Sequence, residues 1–244
     1  MSWERFATRW TTLAVCVGEG EASGARRLGL PGPSTVVRSG VDLARFRVAS
    51  EQDRRAAREA LCLPQSAPVA VCMGRVTRQK GQDLLAAAWP RVRAVHPDAV
   101  LAMVGDGSLP SPVPPGVRLA GPTEDPWTWY AAADVIVFPS RWEGLPLTLL
   151  EALAVGRSIV GTDIPGIAEV LPADAGALVP LGDEAALADA VALRLGDTGQ
   201  AGREGDAGRA FAERAADIRR THDRLAALVD RVANGVEQRR SRTS

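Results

Sequence analysis

The chain has 244 residues, 46% of them apolar, and its 29 Lys and Arg balance 29 Asp and Glu. That length suits one large domain or a domain and part of another, with enough apolar content for a substantial core. The charge balance gives no reason to expect nucleic acid or an anionic membrane surface as partner, and no apolar run approaches transmembrane length.

The three cysteines, Cys16, Cys62 and Cys72, are unequally spaced, and two fall in strand-like apolar runs. They are expected to be buried thiols in a reducing compartment, not a metal or disulfide set. The apolar stretch 11–17 is too short, and too soon followed by Glu19 and Glu21, to be a signal-peptide core. A soluble cytoplasmic chain is expected.

In chain order, the pattern predicts a helix over 2–10, a strand over 13–17, a helix over 19–28 ending before Gly29, and an extended run over 35–38. Two or three such elements cannot bury their own apolar faces. Residues 1–48 are therefore expected to be the remnant of a first domain with its hinge, most of that domain being absent. A charged helix over 51–63 ends at Pro64, and a second domain is expected over 49–205. Its strands are predicted at 69–73, 99–104, 117–120, 135–138 and 158–161, with a last one at 177–179. Helices are predicted over 82–95, where Pro90 should kink or interrupt the element, and over 127–133, the segment from Pro146 onward and 184–195. Strands alternating with helices imply an α/β fold, a Rossmann-like parallel sheet covered by helices on both faces. Residues 197–208 are glycine-rich and polar, and no element is predicted there. Apolar positions Ile218, Leu225, Leu228 and Val229 predict a helix over 209–233, within a C-terminal helical segment at 206–236. A disordered basic tail is expected at 237–244.

The chemistry concentrates in two loops. After the strand at 135–138 comes Glu143-Gly144-Leu-Pro146-Leu147-Thr148-Leu149-Leu-Glu151. Pro146 is expected at the first helical position, where proline loses no needed donor. Leu149, Leu153, Leu150, Ala154 and Leu147 share one arc of the wheel, with Glu151 at its edge. A helix start at the carboxyl end of a parallel sheet favours a phosphate, and carboxylates accept hydrogen bonds from sugar hydroxyls. On residue chemistry alone, Glu143 and Glu151 read equally as solvated charges. The second loop, Gly74-Arg75-Val-Thr-Arg-Gln-Lys80-Gly81, lies between a strand and a helix but lacks P-loop spacing. Arg75 and Lys80 are either two solvated cations or a pair, one planar fork and one point charge, for a diphosphate.

With seven residues between Glu143 and Glu151, the segment resembles the signature of retaining nucleotide-sugar glycosyltransferases of family 4, which have the GT-B fold. The resemblance implies that this chain is the C-terminal, donor-binding half with a stump of the N-terminal acceptor domain. Ser39 stands where the family usually has Asn at the hinge, and Pro146 where Gly is common. By carry-over, Arg75 and Lys80 hold the donor diphosphate and stabilise the leaving group, Glu143 binds the donor sugar, and Glu151 binds the ribose. The backbone at Gly144, Leu147, Thr148 and Leu149 meets the phosphates, and the base lies near the loop after 117–120. The donor would be a UDP-, GDP- or dTDP-sugar and the acceptor is open. The family needs no protein nucleophile, and the chain has no Asp-x-Asp, so no cofactor or metal is implied. The last helix would normally return to the first domain.

Two other readings stand beside this one. A donor-binding subunit would work only with a partner supplying the N-terminal domain. An NAD-dependent oxidoreductase is disfavoured by the lack of Gly-x-Gly-x-x-Gly after a first strand. His96 and His222 are expected to be surface or capping residues, and Trp127 and Trp129 to be core packing.

Overall fold

The computed structural model describes residues 10–30 and 32–241, with backbone only from 235 onward. The helix expected over 2–10 thus lies outside the described residues, save Trp10. A two-stranded parallel sheet comes first, from β1 (Ala14–Cys16) and β2 (Ser34–Val36) joined through α1 (Glu19–Arg27). Helix α2 (Glu51–Ala60) opens on a capping box in which Ser50 and Asp53 satisfy each other's backbone N–H.

The main sheet follows, built from β3 (Val69–Met73), β4 (Val100–Val104), β5 (Val117–Gly121), β6 (Val135–Phe138), β7 (Ser158–Thr162) and β8 (Gly176–Val179). Its order is β5-β4-β3-β6-β7-β8 and every pairing is parallel. The helices between are α3 (Gln82–Val95), α4 (Pro126–Ala132), α5 (Leu147–Val155), the short α6 (Pro165–Ala168) and α7 (Glu184–Gly196). Successive residues of the central strands, buried throughout, join opposite cores, as the pleat requires. Val69, Val71 and Met73 join the core with Ile136, Phe138 and α5, whereas Ala70 and Cys72 join the opposite core with Val135, Val137, α3 and α7. The sheet is covered on both faces, as the pattern implies.

Four local expectations are corrected. Helix α3 runs through Pro90 without interruption; the ring lies on its exposed face while Trp89 and Val92 are buried. Cys62 is exposed, at a positive φ of 51° just past the end of α2, and only Cys16 and Cys72 are buried. Burial pushes the Cys72 thiol up to about 12. The glycine-rich stretch after Asp197, where no element is predicted, is the start of α8 (Thr198–Ala215), because its glycines let the helix touch α5. A Cβ on Gly205 would stand 2.2 Å from the Gly156 carbonyl, and one on Gly208 would stand 2.8 Å from Leu153. Finally, the single helix expected over 209–233 is split at Ala216–Asp217, after which α9 (Ile218–Ser241) begins.

The split has a cause. Val41 N–H donates to the Ala216 carbonyl at 2.7 Å, and Ile218 N–H donates to Val41 at 3.1 Å. The chain leaving the small sheet therefore pairs with the chain returning to it, and a Cβ on Gly40 would stand 2.4 Å from the Ile218 Cα. Along α9, Leu225 and Leu228 are half-buried and Val229 is exposed.

Candidate functional site

In the main sheet, β4 and β5 lie to one side of β3, and β6, β7 and β8 to the other. The strand order reverses between β3 and β6, and in open α/β sheets ligands bind at the carboxyl ends beside that reversal. The loops singled out in the sequence are the two that follow β3 and β6. The fold brings them together.

Their backbones are laced. Arg141 N–H donates to the Gln79 carbonyl at 2.7 Å, Gln79 Nε2 donates to the Trp142 carbonyl at 3.1 Å, and Arg141 forms a two-pronged ion pair with Asp83 at 2.7 Å each. Gly81 marks the closest approach: its φ is +70°, and a Cβ there would lie 1.9 Å from the Pro139 carbonyl oxygen. Only glycine tolerates both conditions. Below the first loop lies Gln82, fully buried at the first turn of α3. Its Nε2 donates to the Gly74 and Arg75 carbonyls at 3.1 and 3.0 Å, and its Oε1 accepts from Thr77 N–H at 3.3 Å.

On this frame Lys80 Nζ meets Glu143 Oε1 at 2.7 Å, with the side chains 25% and 6% exposed. Ser140 Oγ donates to the same oxygen at 2.7 Å. Arg75 is exposed, and its guanidinium has no partner among the described residues. Helix α5 starts beside them. Pro146 is not its first helical residue but its cap, with ψ 114°, and no side chain caps the helix. Leu147 is 54% exposed at the open end of α5, outside the buried arc expected for it. The Leu149 N–H is spent on the Pro146 carbonyl at 3.0 Å, so the first-turn amides without a partner in the helix are those of Leu147 and Thr148.

Glu151, one turn further on, is half-buried, and its Oε2 accepts the Tyr130 hydroxyl at 2.8 Å. Burial pushes the Glu151 carboxyl up, against the Tyr130 hydrogen bond and the Arg45 guanidinium, which both act to lower it. The Tyr130 phenol is raised well above its ordinary range by burial and by Glu151. The site thus offers two cations, a helix start and two carboxylates along one edge of the sheet. The cations and amides can take a dianionic group, and the carboxylates can take hydroxyls on either side.

Sequence reasoning missed the residues that hold these groups. Gln82 is a polar residue in the first turn of a helix that, after Asp83, is apolar throughout 84–89, which is a signal for a buried hydrogen-bonding role. Tyr130 is the one tyrosine in the chain, on a helix of otherwise apolar character, and a buried phenol needs a partner. Glu169 gave no such signal. Its carboxylate accepts the N–H groups of Glu19 and Gly20 at 2.9 and 2.6 Å, tying α1 to the end of α6. Beside it, a Cβ on Gly166 would stand 2.5 Å from the carbonyls of Glu143 and Gly144, so α6 packs directly beneath that loop. The residues set aside stay outside the site. His96 Nε2 pairs with the Ala192 carbonyl at 2.9 Å, and His222 is exposed on α9. Trp129 is buried, and Trp127 packs against the core while donating to the Arg47 carbonyl at 2.9 Å.

Comparison with known proteins identifies the family and the fold. Residues 67–197 match the family described as glycosyl transferases group 1. The chain is 34% identical over 191 residues to the GDP-mannose-dependent monoacylated alpha-(1-6)-phosphatidylinositol monomannoside mannosyltransferase of Corynebacterium glutamicum, covering 72% of this chain and 50% of the relative. It is 30% identical over 213 residues to the lipopolysaccharide core biosynthesis mannosyltransferase LpsB of Rhizobium meliloti, covering 80% and 58%. Among solved structures, sucrose-phosphate synthase from Thermosynechococcus elongatus superimposes with a TM-score of 0.80 at 25% identity, covering 91% of this chain and 59% of that one. The Anabaena protein HepE in complex with UDP-glucose gives 0.81 at 20% identity, covering 93% and 66%. The chain spans about half the length of the curated relatives it matches. Its Rossmann-like sheet is that of GT-B glycosyltransferases, and the chain belongs to the glycosyl transferases group 1 family.

Proposed function

We propose that this chain is the donor-binding half of a retaining nucleotide-sugar glycosyltransferase of family 4, transferring a sugar from a nucleoside diphosphate to an acceptor. The observation that carries the reading is the meeting of Lys80 with Glu143 beside the start of α5, with Arg75 on the same loop as Lys80, at the reversal of strand order. In this reading Arg75, Lys80 and the amides of Leu147 and Thr148 hold the diphosphate and stabilise it as leaving group, with Gly144 leaving room at the loop. Glu143 accepts hydroxyls of the donor sugar, and Glu151 those of the ribose. The leaving phosphate assists the incoming hydroxyl on the same face of the sugar, so no protein nucleophile and no metal is assigned. Residues 1–48 are taken as belonging to the acceptor-side domain and its hinge, and 49–205 as the donor domain. Free thiols at Cys16, Cys62 and Cys72 suit a cytoplasmic setting.

Relatives differ in donor: one is named for GDP-mannose, and a structural neighbour is in complex with UDP-glucose. Calorimetry with UDP, GDP and dTDP against their nucleosides is therefore the test. Charge-assisted contacts are worth about 1.5–3 kcal/mol each, so losing two should weaken binding by about a hundredfold or more. Equal affinities for diphosphates and nucleosides would remove Arg75 and Lys80 from the assignment.

A second reading has its own observation. Among the described residues the sheet of β1 and β2 has two strands, and parallel sheets are stable when larger and covered on both faces. Between β1 and α9 runs an apolar groove lined by Leu13, Val15, Leu228, Val229 and Val232. A donor-binding subunit that works with a partner carrying the acceptor domain would extend that sheet and cover the groove. Transfer that needs such a partner, with α9 gaining hydrogen-exchange protection on its addition, would favour this reading. Efficient transfer by the chain alone would exclude it.

A further inference from the structure

Tyr130 sits fully buried on α4, a helix that contributes no residue to the assignment above. Its ring packs edge-on to Phe46, with centroids 6.2 Å apart, so the phenol is fixed at its apolar end. At the other end the hydroxyl has two acceptors and one proton. Glu151 Oε2 is at 2.8 Å, and the Thr148 carbonyl, in the first turn of the same helix α5, is at 3.2 Å. The shorter and charge-assisted contact takes the proton. Glu151 Oε1 accepts no hydrogen bond among the described residues. One carboxylate oxygen is therefore pinned from the protein interior and the other is left for a ligand.

We propose that Tyr130 is a positioning residue of the donor site: it fixes Oε2 of Glu151 so that Oε1 faces the ribose hydroxyls. The inference rests on the reading that Glu151 holds the ribose. The titratable and charged groups that face Glu151 are Tyr130 from α4 and Arg45 from the segment before α2. Arg45 is exposed and anchored on the Glu124 carbonyl at 3.4 Å, so it approaches from the solvent side, whereas Tyr130 approaches from the core. Both favour the ionised carboxylate, which alone accepts hydrogen bonds at both oxygens without donating one.

Tyr130→Phe tests this because the ring and its packing on Phe46 are kept while the donor is lost. Binding of UDP and GDP, and of their 2′,3′-dideoxy analogues, is measured by calorimetry from pH 5 to 8, beside thermal melting. For whichever diphosphate binds, the variant should lose about tenfold in affinity. Affinity for the dideoxy analogue should match that of the unaltered chain. The acid limb of binding should move toward neutral pH, since removing a donor that favours the charged form lets Glu151 protonate earlier. An unshifted acid limb with unchanged UDP or GDP affinity overturns the inference, as does an equal loss for the ribose and dideoxy forms, which marks a merely structural role. Failure of the unaltered chain to bind either diphosphate overturns the donor-site reading itself and the inference with it. Should the phenylalanine variant fail to fold, Glu151→Gln should bind UDP or GDP without an acid limb; retention of that limb overturns the inference.

Discussion

Gln82→Leu separates the frame of the site from its ligand contacts. The glutamine is fully buried and satisfies three backbone groups of the first loop, the Gly74 and Arg75 carbonyls and the Thr77 N–H. Leucine fills nearly the same volume and offers none of these bonds. A buried group left unsatisfied costs about 1–3 kcal/mol. The Arg75 end of the loop is exposed, however, so water replaces part of the loss. Leucine also gains roughly 1 kcal/mol of apolar burial. The net destabilisation should be about 2–3 kcal/mol, read as a lower urea midpoint at unchanged slope. Because that loop carries Arg75 and Lys80, affinity for the diphosphate should also fall, by about tenfold, although Gln82 faces the loop backbone and not the cleft. An unchanged midpoint together with unchanged affinity would show that the loop holds its shape without Gln82, and the frame argument would be wrong.

Two further substitutions probe the site from other directions. Glu143→Gln removes the anion that now holds Lys80 Nζ at 2.7 Å. It should weaken a nucleotide sugar while leaving the free diphosphate bound as well or better, and calorimetry with both ligands reads the split; an equal loss for both would mean that Glu143 does not address the sugar. Gly81→Ala forces a side chain into left-handed backbone and against the Pro139 carbonyl, 1.9 Å away. The backbone conformation alone costs about 1–2 kcal/mol, so the melting temperature should fall and diphosphate affinity with it, and an unchanged melting curve would mean that the two loops are not laced as described.

How much of this was legible in the sequence depends on the kind of signal. Unbroken apolar runs such as Val135 to Phe138 gave the parallel sheet, because a strand buried on both faces has no other composition. The meeting of Lys80 with Glu143 was not legible in either loop alone. It depends on β3 and β6 being neighbours, which periodicity does not encode and which the family resemblance supplied. Helix α8 was misread for a physical reason. Gly199, Gly202, Gly205 and Gly208 lower helix propensity, and that cost is outweighed by the close contact with α5 that Gly205 and Gly208 allow. Their spacing of three residues was the available clue. The supporting partners were hidden for different reasons: Gln82 bonds the backbone of the loop just before it, whose path periodicity does not encode, and Tyr130 reaches Glu151, 21 residues further on. A buried polar residue announces that it needs a partner, but not which one.

The central claim is that the diphosphate of a sugar donor lies between Arg75, Lys80 and the start of α5. A crystal structure of the chain with UDP or GDP tests it most directly. The account requires phosphate oxygens within hydrogen-bonding distance of the Arg75 guanidinium, Lys80 Nζ and the Leu147 or Thr148 amide, with the ribose against Glu151. Phosphates bound elsewhere, with Lys80 still paired to Glu143 and Arg75 still in solvent, would contradict it.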